Sequence, residues 1–181
     1  MLVYALQGKR NTGKTLTLAT LFTMICKQYG KKANILFPYG DFSLELIEEQ
    51  IKRKYKALQE GVTNHAPYIR AMIEINGIRI GIHSSGDNEE SVNNSISLFN
   101  GNDAPYLSCD IGFCPGRTRG ITIKRLEKEL KQNNNELVFV MKTIAPYTEN
   151  YAEYCYNIEK LNSEQAKELL SKLDAFLNKN P

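Results

Sequence analysis

The chain has no tryptophan, only two histidines, and no marked excess of either charge. Its 23 Lys and Arg stand against 20 Asp and Glu in 181 residues, a formal net charge of +3. So even a balance leaves no strong electrostatic footprint for nucleic acid. The runs Lys31–Lys32 and Lys52–Arg53–Lys54 read as solvated turn and helix surface. No apolar run is long enough to span a bilayer, so no membrane partner is expected. There is no internal repeat, low-complexity tract or linker, and residues 1–181 are expected to form one domain with a core of its own. No leader segment is expected before the four cysteines, Cys26, Cys109, Cys114 and Cys155, because the N-terminus enters a strand pattern directly. Reduced thiols in the cytoplasm are therefore expected. Cys109 and Cys114 lie in an apolar strand pattern without a second Cys or His pair in register, which suits small core residues better than zinc ligands.

What is present is an alternation of strand and helix. Leu2 to Leu6 reads as a buried strand, and Lys14 to Tyr29 as a helix with Leu18, Leu21, Phe22 and Ile25 on one face, stopped by Gly30. Ala33 to Phe37 is a second strand. Leu44, Ile47, Ile51, Tyr55 and Leu58 mark an amphipathic helix ending near Gly61. Tyr68 to Ile75 and Ile78 to Ile82 flank Asn76-Gly77, the strongest short hairpin signal. A helix is expected from near Asp87, with Val92, Ile96 and Phe99 inward. Leu107 to Cys114 is a strand, Ile121 to Gln132 a helix, and Leu137 to Met141 the last strand. The tyrosine-rich stretch after it, with Tyr147, Tyr151, Tyr154 and Tyr156, is expected to pack the last strand against the final helix, with base stacking as the alternative. Asn162, with Gln165 as reciprocal partner, is expected to cap that helix. The pattern predicts a three-layer α/β fold. A mostly parallel sheet, with one antiparallel hairpin strand, carries helices on both faces. Such sheets bind ligands beyond the carboxyl ends of their strands, which selects the loops 7–15, 38–43, 83–90 and 115–121.

The first of these loops contains Gly8-Lys9-Arg10-Asn11-Thr12-Gly13-Lys14-Thr15, a match to G-x-x-x-x-G-K-[ST] at every specified position, between a strand and a helix. Gly8 lets the chain leave the strand sharply. The amides of Lys9, Asn11, Thr12 and Gly13 can then turn inward on an anion, and Gly13 admits the β-phosphate closely. Lys14 neutralises β and γ charge, Thr15 offers its hydroxyl to Mg²⁺, and Leu16 continues the first helical turn, whose dipole favours the anion. On these residues the chain resembles the P-loop NTPase superfamily. The resemblance implies binding of a nucleoside triphosphate with Mg²⁺, and hydrolysis or phosphoryl transfer. Lys9 stands five residues before Lys14, as the signature lysine does in the ParA/MinD-type loop, where it reaches the nucleotide of a dimer partner. That pattern has two glycines where this chain has Arg10 and Asn11. Lys9 is accordingly read first as a solvated loop cation, with a homodimer as the alternative.

The superfamily places an Asp bound to a Mg²⁺ water at the end of a neighbouring strand. At the expected place stands His83-Ser84-Ser85-Gly86-Asp87. Asp87 is the nearest carboxylate and serves equally well as a helix cap or as a metal group. The amide of Gly86 is a candidate γ-phosphate donor. His83 is read first as a hydrogen-bonded strand-end residue and second as a pH-sensitive phosphate contact. Asp41, in Pro38-Tyr39-Gly40-Asp41, reads as a turn before a helix. Arg117 and Arg119 beside Gly120 form either a solvated loop or a second anion site able to neutralise a transferring phosphoryl group. The segments Gly81–Asp87 and Cys109-Asp110 with Arg117–Gly120 look similar to small bacterial ATP-binding proteins. Lys142 follows the last strand without the Asn and Asp that would make it N-K-x-D, so ATP is expected ahead of GTP.

Overall fold

The computed structural model describes residues 1–9, 12–38, 43–62, 64–86, 88–102, 108–132 and 134–180. Six strands form one sheet: β1 (Leu2–Gln7), β2 (Ala33–Pro38), β3 (Arg70–Ile75), β4 (Ile78–His83), β5 (Ile111–Gly116) and β6 (Glu136–Met141). Their order is β2-β3-β4-β5-β1-β6. β3 runs antiparallel to both β2 and β4, and the pairs β4–β5, β5–β1 and β1–β6 are parallel. Reversing β3 leaves the other five strands pointing one way, so their carboxyl ends share one edge. The reversal is made at Asn76-Gly77, whose φ values of 53° and 80° are the left-handed pair a two-residue hairpin needs.

Among the described residues, five α-helices complete the fold: α1 (Lys14–Tyr29), α2 (Leu44–Gln59), α3 (Glu89–Asn100), α4 (Ile121–Gln132) and α5 (Tyr151–Lys179). The two-residue alternation of the strands divides their side chains between two cores. Leu6, Ala71, Ile73, Ile75, Ile111 and Phe113 face Leu18, Leu21, Phe22 and Ile25 of α1, Ile47 of α2, and Ala166, Leu169 and Leu173 of α5. Val3, Ala5, Met72 and Cys114 face Val92, Ile96 and Phe99 of α3 and Leu126 and Leu130 of α4. The sheet is thus the middle of three layers. Cys109, Cys114 and Cys155 are buried and all four cysteines are free. Burial pushes the thiols of Cys109 and Cys114 up to about 12, so both stay protonated core groups. No helix among the described residues is long and apolar enough to cross a membrane.

Four sequence expectations need correction. The strand expected over 107–114 runs from Ile111 to Gly116, two residues further on at its end. The cap expected at Asp87 is made by Asn88, whose side chain accepts from Ser91 N at 2.8 Å, and α3 begins at Glu89. Asp87 itself lies outside the described residues. The largest change concerns Asn162, which sits buried in the middle of a 29-residue helix rather than at its start. The helix is capped by Asn150, which accepts from Glu153 N at 3.2 Å. Asn162 and Gln165 mimic a capping box because both are spent on partners far away in sequence. The tyrosines also fall elsewhere. Tyr151 opens α5, and Tyr147 (85% exposed) and Tyr156 (62% exposed) point outward instead of packing the last strand.

Candidate functional site

The turn from β1 into α1 lies at the carboxyl edge of the sheet, between the ends of β5 and β6. Gly8 N donates to Gly116 O at 3.1 Å, and Lys142 N donates to Gln7 O at 2.7 Å. Both flanking strands therefore hold the point where the chain leaves β1. Gly8 is pressed against its surroundings: a Cβ there would stand 2.9 Å from both Lys142 Cβ and Thr12 Oγ1. Gly13 has φ 83°, a left-handed conformation that turns the chain into the helix and suits glycine. A Cβ on Gly13 would meet the Asn162 carboxamide at 2.7 Å.

Lys14 opens α1 and folds back over the loop. Its Nζ donates to Gly8 O at 3.1 Å and Lys9 O at 2.5 Å, and the side chain is buried. Lys9 O also accepts from Thr12 Oγ1 at 2.9 Å, while the Lys9 side chain is exposed. Thr15 is half-buried and Leu16 buried in the first turn. Arg10 and Asn11 lie outside the described residues, so Asn11 is not placed. The loop thus joins one buried ammonium to an anion-favouring helix start, while its glycines bring the backbone close to the protein interior.

Two residues that sequence reasoning set aside complete this environment. Lys142, read only for its failure to complete a guanine motif, is 5% exposed and packs beside Gly8. Its Nζ donates to Thr143 O at 2.9 Å, and burial together with the nearby Lys14 charge pushes its pKa down to about 8. Asn162 joins three helices beneath the loop. Its Oδ1 accepts from Thr17 Oγ1 of α1 at 3.2 Å, and its Nδ2 donates to the Tyr55 hydroxyl of α2 at 3.0 Å. Gln165, one turn on, donates to Met141 O at 2.6 Å and accepts from Thr143 N at 3.2 Å, so it grips the chain on both sides of Lys142. A signal for Lys142 was available: it follows a strand parallel to β1, one residue past the Gln7–Met141 register.

His83 lies elsewhere. β5 separates β4 from β1, so the strand ending at His83 is two places from β1 and not its neighbour. The strands beside β1 end in Gly116 and Met141, and the residues that follow are Arg117 and Lys142. His83 is fully buried, with Nδ1 2.6 Å from Ser95 Oγ and Nε2 2.9 Å from the Tyr68 hydroxyl. Burial, helped by the Arg70 charge, pushes its pKa down to about 4, so it is neutral at ordinary pH. Both ring nitrogens are engaged within the protein, which is the hydrogen-bonded alternative. Gly86 packs on the end of β5, where a Cβ would lie 2.4 Å from Pro115 Cγ. Asp41, like Asp87, lies outside the described residues.

Arg117 directly follows β5 and is half-buried, with its carbonyl accepting from Gln7 Nε2 at 3.2 Å. Arg119 is exposed, and Gly120, with φ 105°, leads into α4. Arg117 therefore stands at the carboxyl edge beside the turn from β1 into α1, and Arg119 belongs to the same turn as Arg117. Two recesses lie away from this edge. One of about 570 Å³ is lined by Met1, Asn100, Asp110 and Glu129. The other, of about 230 Å³, lies between α1, α2 and α5. Among the described residues, no three His, Cys, Asp or Glu side chains come together to hold a metal ion. Comparison of the chain with protein-family models, with curated proteins and with solved structures gave no match.

Proposed function

We propose that the protein binds a nucleoside triphosphate, ATP ahead of GTP, at the loop between β1 and α1, and hydrolyses it with Mg²⁺. The observation that carries this reading is the placement of Lys14: it is buried across a glycine-bounded turn at the carboxyl edge of a mostly parallel sheet, its ammonium held by the Gly8 and Lys9 carbonyls. A loop of this kind offers inward amides and a cation to a polyanion, and the buried ammonium of Lys142 beside it suits the same charge. In the reaction, water attacks the γ-phosphorus in line, and the bond to the β–γ bridging oxygen breaks. Lys14 neutralises charge on the β and γ oxygens, and Arg117 and Arg119 are suited to the charge that develops in the transition state. Thr15 and Asp87 are the groups that would hold Mg²⁺, which supplies further charge neutralisation. Met141 and Ile144 stand where N-K-x-D has its Asn and Asp, which favours ATP.

A second reading is a nucleotide-sensing module without turnover. It is favoured by the cations, Arg117 and Lys142, that follow the two strands beside β1. A kinase reading uses the same loop, with Arg117 and Arg119 as clamps on an acceptor. Phosphate release from Mg²⁺-ATP, with and without a panel of nucleotides and metabolites, separates the three. Release alone supports the hydrolase, transfer to an acceptor supports the kinase, and saturable binding without either supports the sensor. Absence of any triphosphate binding sinks all three.

A further inference from the structure

Lys142 is a buried ammonium without a counter-ion. It is 5% exposed, and among the described residues no carboxylate pairs with it. An ammonium has three donors. The one bond formed here is to Thr143 O, a neutral carbonyl. The strongest charge acting on it is Lys14, of the same sign. Burying a charge against a like charge is costly unless an opposite charge completes the site.

The fold nevertheless invests in keeping this lysine in place. Gln165 from α5 holds the carbonyl before it and the amide after it. Lys142 N is bound to Gln7 O, and its Cβ fills the space that a side chain at Gly8 would need. Among the described residues, the groups placed beside it are Lys14 of the phosphate loop and the uncharged Gln165 of α5. We infer that Lys142 is a second phosphate-binding lysine, supplied by the end of β6, and that with Lys14 it makes the site select ligands by the number of phosphates they carry. The missing counter-ion is then the ligand itself. This deepens the proposed function and rests on the phosphate loop being the binding site.

The lowered pKa agrees with this arrangement, since an anion arriving beside two ammonium groups favours the charged form of both. Triphosphate, diphosphate and monophosphate then differ in affinity mainly through how much charge they bring to the two lysines.

The test is calorimetric titration of wild type and Lys142→Met with Mg²⁺-ATP, ADP, AMP and inorganic tripolyphosphate, alongside the melting temperature of each protein without ligand. Methionine keeps the buried length and removes the charge. The expected result is an unchanged or raised melting temperature, with affinity for ATP and tripolyphosphate weakened on the order of 10- to 100-fold and AMP affected least. Lys142→Arg should retain most of the affinity. Equal triphosphate affinity in wild type and Lys142→Met overturns the inference, as does an equal loss for all four ligands. If Lys142→Met is poorly folded, Lys142→Gln carries the same comparison. Failure of the nucleotide reading looks different: wild type then binds tripolyphosphate but not ATP, while the Lys142→Met loss persists. Binding of neither ligand by wild type overturns both.

Discussion

Two buried polar clusters at the same edge of the sheet are built on opposite principles. At the end of β4, His83 is neutral and has a partner for each ring nitrogen, and Ser84 donates and accepts within the same cluster: its Oγ accepts from Ile69 N at 2.8 Å. At the ends of β1 and β6, the ammonium groups of Lys14 and Lys142 are held by backbone carbonyls, and among the described residues no carboxylate pairs with Lys142. The first cluster is closed and stabilises the fold as it stands. In the second, Lys142 is buried beside a like charge. A buried group whose needs are met inside the chain asks nothing of a ligand, whereas one left with a like charge as its neighbour is completed by something from outside.

The comparison breaks most severely at Lys14. Lys14→Ala should abolish triphosphate binding, a loss of at least about 100-fold, while circular dichroism shows the fold intact. Unchanged affinity in a calorimetric titration contradicts the open-cluster account. At the closed cluster the expected effect is on stability. His83 has a folded-state value of about 4 against an ordinary 6.5, so folding favours its neutral form. Its contribution is complete above pH 6.5 and is lost as the pH falls from there through 4. The span corresponds to roughly 3 kcal/mol. Wild type should therefore lose stability steeply across that window in urea titrations, and His83→Asn should flatten the slope. The same slope in both proteins shows that another group is responsible.

These contrasts also mark what the sequence made legible. The loop 8–15, the bounds of α1 and α4, and the Asn76-Gly77 turn were all readable, because each depends on residues close together in the chain. The alternation of strand and helix gave the class of fold for the same reason. The strand order was not readable, and so His83 was assigned to the wrong neighbour: nothing local tells that β5 intervenes between β4 and β1. Asn162 was misread as a cap, and Lys142, correctly read as lacking the guanine motif, was passed over for its place beside the loop. Each fits a local motif imperfectly, a cap and a guanine reader, because its partners lie over a hundred residues away.

A sharper probe of that long-range packing is Gly13→Ala. The left-handed φ and the contact with Asn162 should together cost about 2 kcal/mol in urea denaturation. Pairing it with Asn162→Ala should recover the share due to the contact, a non-additivity that a double-mutant cycle reads directly. Strictly additive costs rule out the contact as the cause. The smallest expected effect is at the arginine turn. Arg117→Ala and Arg119→Ala should each slow turnover about 10-fold with less change in binding. Loss of affinity with full kcat counts against a role in the transition state.

The tie between Thr17 and Asn162 spans 145 residues. A growing chain makes the turn between β1 and α1 well before the helix that buttresses it. Until residue 162 has left the ribosome, the carboxamide that faces Gly13 and joins Thr17 to Tyr55 does not exist. The same holds for the Gln165 grip around Lys142. The geometry of the turn between β1 and α1 therefore depends on a segment made long after it, and a nascent chain carrying the loop motif alone does not yet hold that geometry.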